Sequence, residues 1–294
     1  MTRIPAIPVP AIGVPAFQVS LNGSRTAADG TAVPMSPEAL AEAAARSVAA
    51  GATEVLVHPR TPCGRESLSP RVVGPVLSAL RAAVAVPRSG SARGSMPVSV
   101  SVSVSVCASV PGEPDPVARI RAWEVLPDRA TVDLAAPEAA AVAAALAERG
   151  VAVDGVLRLG AAAGTAVSGL RVARLLVECA VTDPAQLDGT ELPGGAELLD
   201  GTAVTDGATG PDGTAVPGGT TMPGGTTAPG GTVVYGREAA AWPVLRWAAG
   251  RGHGCRTGIG DVLHLPDGRP ARSNAELVAA AAAYVSRPDR QDVF

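Results

Sequence analysis

The sequence predicts an α/β protein, a single (β/α)8 barrel, on three observations. Short runs rich in β-branched residues alternate with longer alanine-rich stretches, the pattern of parallel strands joined by helices. Eight such units can be counted along the 294 residues. The composition is 47% hydrophobic, enough to bury a sizeable core.

Strands are expected at residues 16–21, 54–58, 97–107, 129–134, 153–159, 171–177, 232–235 and 255–259. Helices lie between them. One at 37–50 opens with Ser36 as cap and Pro37 at the first helical position, where a missing N–H costs nothing. Another at 137–149 also begins with a proline, and one at 273–285 is entered through Ser273 or Asn274. The barrel is assigned to residues 15–286, with two low-complexity segments inside it. The first, 88–106, ends in a strict Val-Ser alternation from Val98 to Val106, whose period of two suits a strand and extends strand three. The second, 188–231, is dominated by Gly, Thr and Pro and repeats the hexad PGGTTM from Pro217. It lacks the regularly spaced aliphatic that a β-helix stacks, so a disordered loop is expected. The sixth helix should lie in this region. Only 183–199 has helical character, so that helix is expected to be short or missing, its flank shielded by the loop or a partner subunit.

Composition excludes several functions. With three Trp, two Tyr and two Phe, the chain has little to stack on bases, and a net charge of −3 with mixed signs gives no phosphate-binding footprint. No nucleic acid partner is expected. The four cysteines, Cys63, Cys107, Cys179 and Cys255, contain no CxxC pair, so reduced thiols in the cytoplasm are expected. The apolar start is broken by Pro5, Pro8 and Pro10 and does not read as a signal peptide. No run approaches the roughly 20 apolar residues of a membrane span, so no membrane partner is expected. Neither a P-loop nor a dinucleotide fingerprint occurs.

The stretch CRTGIGD at 255–261, followed by LPDGRPARSNAELV at 265–278, resembles the last strand, loop and helix of the β-keto acid cleavage enzymes. Leu21, Asn22 and Gly23, then Ala50 to Ala52 leading into Val57, His58, Pro59 and Arg60, and residues 236–242 add to the resemblance. It spreads over about residues 16–285 outside the low-complexity segments. The family, whose best-known member is 3-keto-5-aminohexanoate cleavage enzyme, is made of zinc-dependent (β/α)8 barrels. These exchange acyl groups between a β-keto acid and acetyl-CoA in a retro-Claisen reaction, giving acetoacetate and a new acyl-CoA. The resemblance implies the same fold, those two substrates, a C-acyltransferase activity and a homo-oligomer.

It also implies a site at the C-terminal mouth of the barrel. The family's zinc is held by an HxH motif ending strand two and a glutamate ending strand eight. Here the first motif reads Leu56, Val57, His58, so the resemblance implies only His58 as a metal ligand, and Gly260 stands at the glutamate position. Asp261 is one residue away and could swing in. The family's catalytic arginine and aspartate match Arg256 and Asp261, assigned to orienting or polarising substrate and to proton transfer. Arg25, Ala136 and the run Cys107, Ala108, Ser109 depart from an acidic residue, a threonine and a Ser-Thr-Gly turn of the family. Arg237, at the start of the seventh helix, is the candidate contact for a CoA phosphate.

Plainer readings stand beside these. His58 could be a hydrogen-bonded structural residue, and Arg256 with Asp261 a structural ion pair. Cys107 could be a nucleophile, but no histidine is close to it in the chain, so an inert buried thiol is expected. His253 and Cys255 have ligand chemistry, but two residues make no site. The rival to an enzyme is a degenerate homologue that has lost zinc and turnover and serves binding or scaffolding.

Overall fold

The computed structural model describes residues 16–85, 102–159, 172–188 and 231–286. Eight parallel strands close into a barrel in sequence order. They are β1 Phe17–Ser20, β2 Glu54–Val57, β3 Ser103–Cys107, β4 Arg129–Asp133, β5 Ala152–Leu159, β6 Arg174–Cys179, β7 Val233–Gly236 and β8 Gly254–Thr257. β1 pairs with both β2 and β8, which closes the ring and leaves no edge. The single (β/α)8 barrel expected from the sequence is the fold observed.

Among the described residues six α-helices lie outside the ring: α1 Pro37–Ala49, α2 Pro70–Val84, α3 Pro116–Arg121, α4 Ala139–Glu148, α5 Ala241–Gly250 and α6 Asn274–Val285. Ser36 caps α1, its hydroxyl accepting from the Ala39 amide. Ser273, rather than Asn274, caps α6 by accepting from the Glu276 amide. The Asn274 carboxamide instead accepts from the Ile259 amide and donates to the Leu21 carbonyl, joining the loop after β8 to the end of β1. α4 starts two residues after Pro137 instead of at it, with no side-chain cap.

After β6 the described chain forms only a 3₁₀ turn, Pro184–Leu187, where the sixth helix was expected. The disordered-loop expectation for 188–231 falls on residues outside the described ones apart from its two ends, as do residues 88–101 of the first insertion. β6 runs to Cys179 instead of ending at Val177. The charged Glu178 looks like the end of the strand in the sequence, but the solvated mouth of a barrel accepts a charge, and the strand continues through it.

Alternation of side chains divides each strand between helix layer and barrel interior. Val19, Val55, Val104, Val132 and Val177 face the helices in one apolar core. The interior is layered from the floor upward. At the floor, Arg174 bonds Glu54 at 2.7 Å and Asp154 at 3.0 Å, and Arg129 holds Asp154 from the other side at 2.9 Å. Two arginines and two carboxylates thus neutralise one another where charge would otherwise be costly. Ala16, Val156, Leu176, Val233 and Tyr235 form a separate small apolar cluster. The mouth lies above the floor.

Candidate active site

The mouth is built by the last residues of the strands and the first of the loops that follow. Arg256 on β8 and Asp261 in the loop after it form a buried two-pronged ion pair, Nε to Oδ2 at 3.0 Å and Nη2 to Oδ1 at 2.6 Å. The Gly258 and Gly260 turn brings Asp261 back over the strand. The Arg256 guanidinium also lies 3.5 Å above the centre of the Tyr235 ring, a cation–π contact in a desolvated place. Burial works against its charge, but Asp261 and Tyr235 outweigh burial and raise its pKa further. The Tyr235 hydroxyl donates to Glu178 at 3.0 Å, and burial pushes that phenol well above its ordinary pKa. Arg158 on β5 extends the chain of charges, 2.6 Å from Asp133 and 3.7 Å from Glu178. One side of the mouth is therefore a continuous polar arc.

His58 sits on the other side. Asn22 clamps its backbone in both directions at 2.9 Å, which holds the ends of β1 and β2 level. The His58 Nδ1 lies 3.1 Å from Glu66 Oε2, while Arg60 holds the other Glu66 oxygen at 3.2 Å. β2 and β3 pair Val57 with Val106, so the next residues, His58 and Cys107, end side by side at the mouth. Burial lowers the imidazole pKa, but Cys107 and Glu66 outweigh it and raise it to about 9. Burial likewise raises the thiol, and His58 outweighs that and holds Cys107 below its ordinary value. Cys107 thus stands beside a histidine that the sequence did not show next to it. The sequence hid its histidine because strand register, not chain proximity, brings them together.

The remaining site candidates fall in different places. Arg237 reaches the rim, Nη2 lying 3.3 Å from Ser24 Oγ and 3.5 Å from the Gly260 carbonyl, beside the Arg256 and Asp261 turn. Arg25 bonds Glu238 and the Ile259 carbonyl and so helps close that rim. The His253 ring stacks on Trp247 at 5.8 Å, and the buried Cys255 thiol meets the Leu245 and His253 backbone carbonyls, so the two side chains do not converge. Sequence reasoning missed Glu66, Tyr235 and Glu178. Only Glu66 carried a trace, lying shortly after the His-Pro-Arg run in a loop with no motif of its own.

The residues present do not fit the zinc that the resemblance implies. Leu56 and Gly260 supply no donor atom. A Cβ on Gly260 would stand 2.3 Å from Ser20 Oγ and 2.7 Å from the Gly23 amide nitrogen, so this backbone has no room for a glutamate there. Asp261 is turned toward Arg256, which engages both its oxygens. Among the described residues no three His, Cys, Asp or Glu side chains are grouped so as to hold a metal ion.

A family profile described as beta-keto acid cleavage enzyme matches residues 16–291. The chain belongs to this family. No curated protein matches it. Among solved structures, ObcA in its apo form is similar with a TM-score of 0.52 at 17% identity, over 84% of this chain and 60% of ObcA. The chain thus spans less than two thirds of that relative's length, and the likeness is one of fold. The homocysteine methyltransferase MmuM from Escherichia coli, also apo, superposes with a TM-score of 0.48 at 14% identity, covering 91% of this chain and 94% of that one. Among the described residues no helix is long and apolar enough to cross a membrane.

Proposed function

We propose that this β-keto acid cleavage family member exchanges acyl groups between a small β-keto acid and acetyl-CoA, releasing acetoacetate and an acyl-CoA. The observation that carries this reading is the buried Arg256–Asp261 pair seated over Tyr235 at the mouth. Asp261 occupies Arg256 Nε and Nη2, which leaves Nη1 to bind a substrate carboxylate or a developing enolate oxygen. Asp261 is the group placed to carry a proton beside that oxygen. Arg237 at the rim takes a CoA phosphate in this reading, a few ångströms from the Gly260 carbonyl. All four cysteines are free thiols, which suits a cytoplasmic enzyme. As in the family, the enzyme works as a homo-oligomer.

The test is acetoacetate formation from acetyl-CoA with a panel of β-keto acids. Turnover is expected, and Arg256→Met or Asp261→Asn should each lower kcat/KM by on the order of 100-fold. A panel that yields no acetoacetate would favour the second reading, a non-catalytic family member that binds ligands at the mouth. Leu56 and Gly260 at the family's ligand positions are the observation behind that alternative.

A further inference from the structure

The rim between the loops after β1, β7 and β8 carries two arginines, only one of which the proposed function uses. Arg25, after β1, donates from Nε to the Ile259 carbonyl at 3.4 Å. Arg237, after β7, reaches the next carbonyl, Gly260, at 3.5 Å and the Ser24 hydroxyl at 3.3 Å. Two guanidiniums from different loops thus rest on consecutive carbonyls of the β8 loop, and both are partly exposed. Among the described residues Arg237 meets no carboxylate, only these two neutral acceptors at long range. Like charges gathered in this way repel one another unless an anion joins them. For Arg25 that anion is Glu238. Its other acidic neighbour, Asp29, is 3.7 Å away and is occupied by the Thr26 amide and hydroxyl. Glu238 is exposed and is held at φ of +50°, a left-handed conformation that a residue with a side chain rarely adopts. Its amide donates to the Asp261 carbonyl at 2.9 Å, so its backbone is pinned to the β8 loop while its carboxylate meets Arg25. Strain of this kind persists only where the surroundings enforce it, and it concentrates at ligand sites. A solvent-facing carboxylate on one arginine, beside a second arginine that has none, is a placeholder. An anion with more charge and more acceptor oxygens can replace it and meet both guanidiniums.

We infer that Arg25 and Arg237 together form a rim site for a phosphate-bearing anion, and that Glu238 occupies the Arg25 half of it until the ligand displaces it. The identity of the ligand rests on the proposed function: there the anion is the diphosphate of CoA, and Arg25 is a specificity-determining residue alongside Arg237. Free pyrophosphate carries the same chemistry without the rest of CoA, so the two ligands separate the site from its use.

The experiment is isothermal titration calorimetry of the full chain with CoA and, separately, with pyrophosphate. Arg25→Met and Arg237→Met should each weaken binding of both ligands by on the order of tenfold. Glu238→Gln removes the competing charge and keeps the side chain's size, so it should tighten both by roughly fivefold. In an Arg25→Met background the same change should have no effect, because the carboxylate acts through Arg25. A merely structural clasp predicts the opposite sign, a loosened rim that binds more weakly. The decisive effect is a gain in affinity, which a misfolded variant cannot produce, and circular dichroism checks the fold of the two methionine variants. No binding of either ligand, binding indifferent to Arg25→Met, or Glu238→Gln that fails to tighten it would overturn the inference. Tightening that survives the loss of Arg25 would overturn it too. The full pattern in CoA, with or without pyrophosphate, would uphold the site. The pattern in pyrophosphate with no binding of CoA would uphold the site and overturn the acetyl-CoA reading.

Discussion

Arg256 is useful at the mouth because it is fully committed without being used up. Its fork meets the Asp261 carboxylate edge to edge, its face meets Tyr235, and one nitrogen remains. A lysine would keep the charge and lose the fork and the face. Tyr235 also fixes Glu178 through its hydroxyl, so Tyr235→Phe removes one hydrogen bond to a charged group while leaving the ring under Arg256. Chemical denaturation should show a loss of about 1.5–3 kcal/mol, and activity should fall less than in Arg256→Met. At this scale Arg256, Asp261 and His58 were legible in the sequence through the resemblance. The Cys107–His58 pairing was not, since nothing local in the chain marks which strand ends stand level.

At the scale of elements, the loop after β8 crosses the end of β1 at van der Waals distance, with Gly260 against Gly23. Gly23 has φ of +51°, and a Cβ there would stand 2.7 Å from the Gly260 Cα. The two glycines are a matched pair. Rebuilding the family's ligands by Leu56→His with Gly260→Glu therefore forces the crossing apart. Equilibrium unfolding should show destabilisation of about 1–3 kcal/mol or more, and zinc analysis should find no stoichiometric metal. A stable double variant with one zinc per chain would show that the crossing yields. The elements themselves were mostly legible: strand alternation and the caps at Ser36 and Ser273 placed them within a few residues. β6 runs Arg174–Cys179 against the expected 171–177, its end carried past Glu178 where the mouth supplies partners for the charge.

The whole molecule is a barrel whose charges are segregated by height. The floor cluster of Glu54, Arg129, Asp154 and Arg174 is closed and neutral, while the mouth keeps groups that can meet a ligand. Arg174→Met strips the cation shared by Glu54 and Asp154 and should cost about 3–5 kcal/mol in urea unfolding, with KM unaffected if enough protein folds to assay. The (β/α)8 topology was readable from the count of alternating units, whereas this vertical sorting was not, because it needs the register of every strand with its neighbours. The central claim concerns what the mouth does. Acetyl-CoA labelled with 13C in both acetyl carbons, incubated with unlabelled β-keto acid, tests it most directly. Carbon–carbon exchange predicts acetoacetate with label in its carbonyl and methyl carbons and none in its CH2–carboxylate half. Acetoacetate absent, or formed without that label, would contradict it.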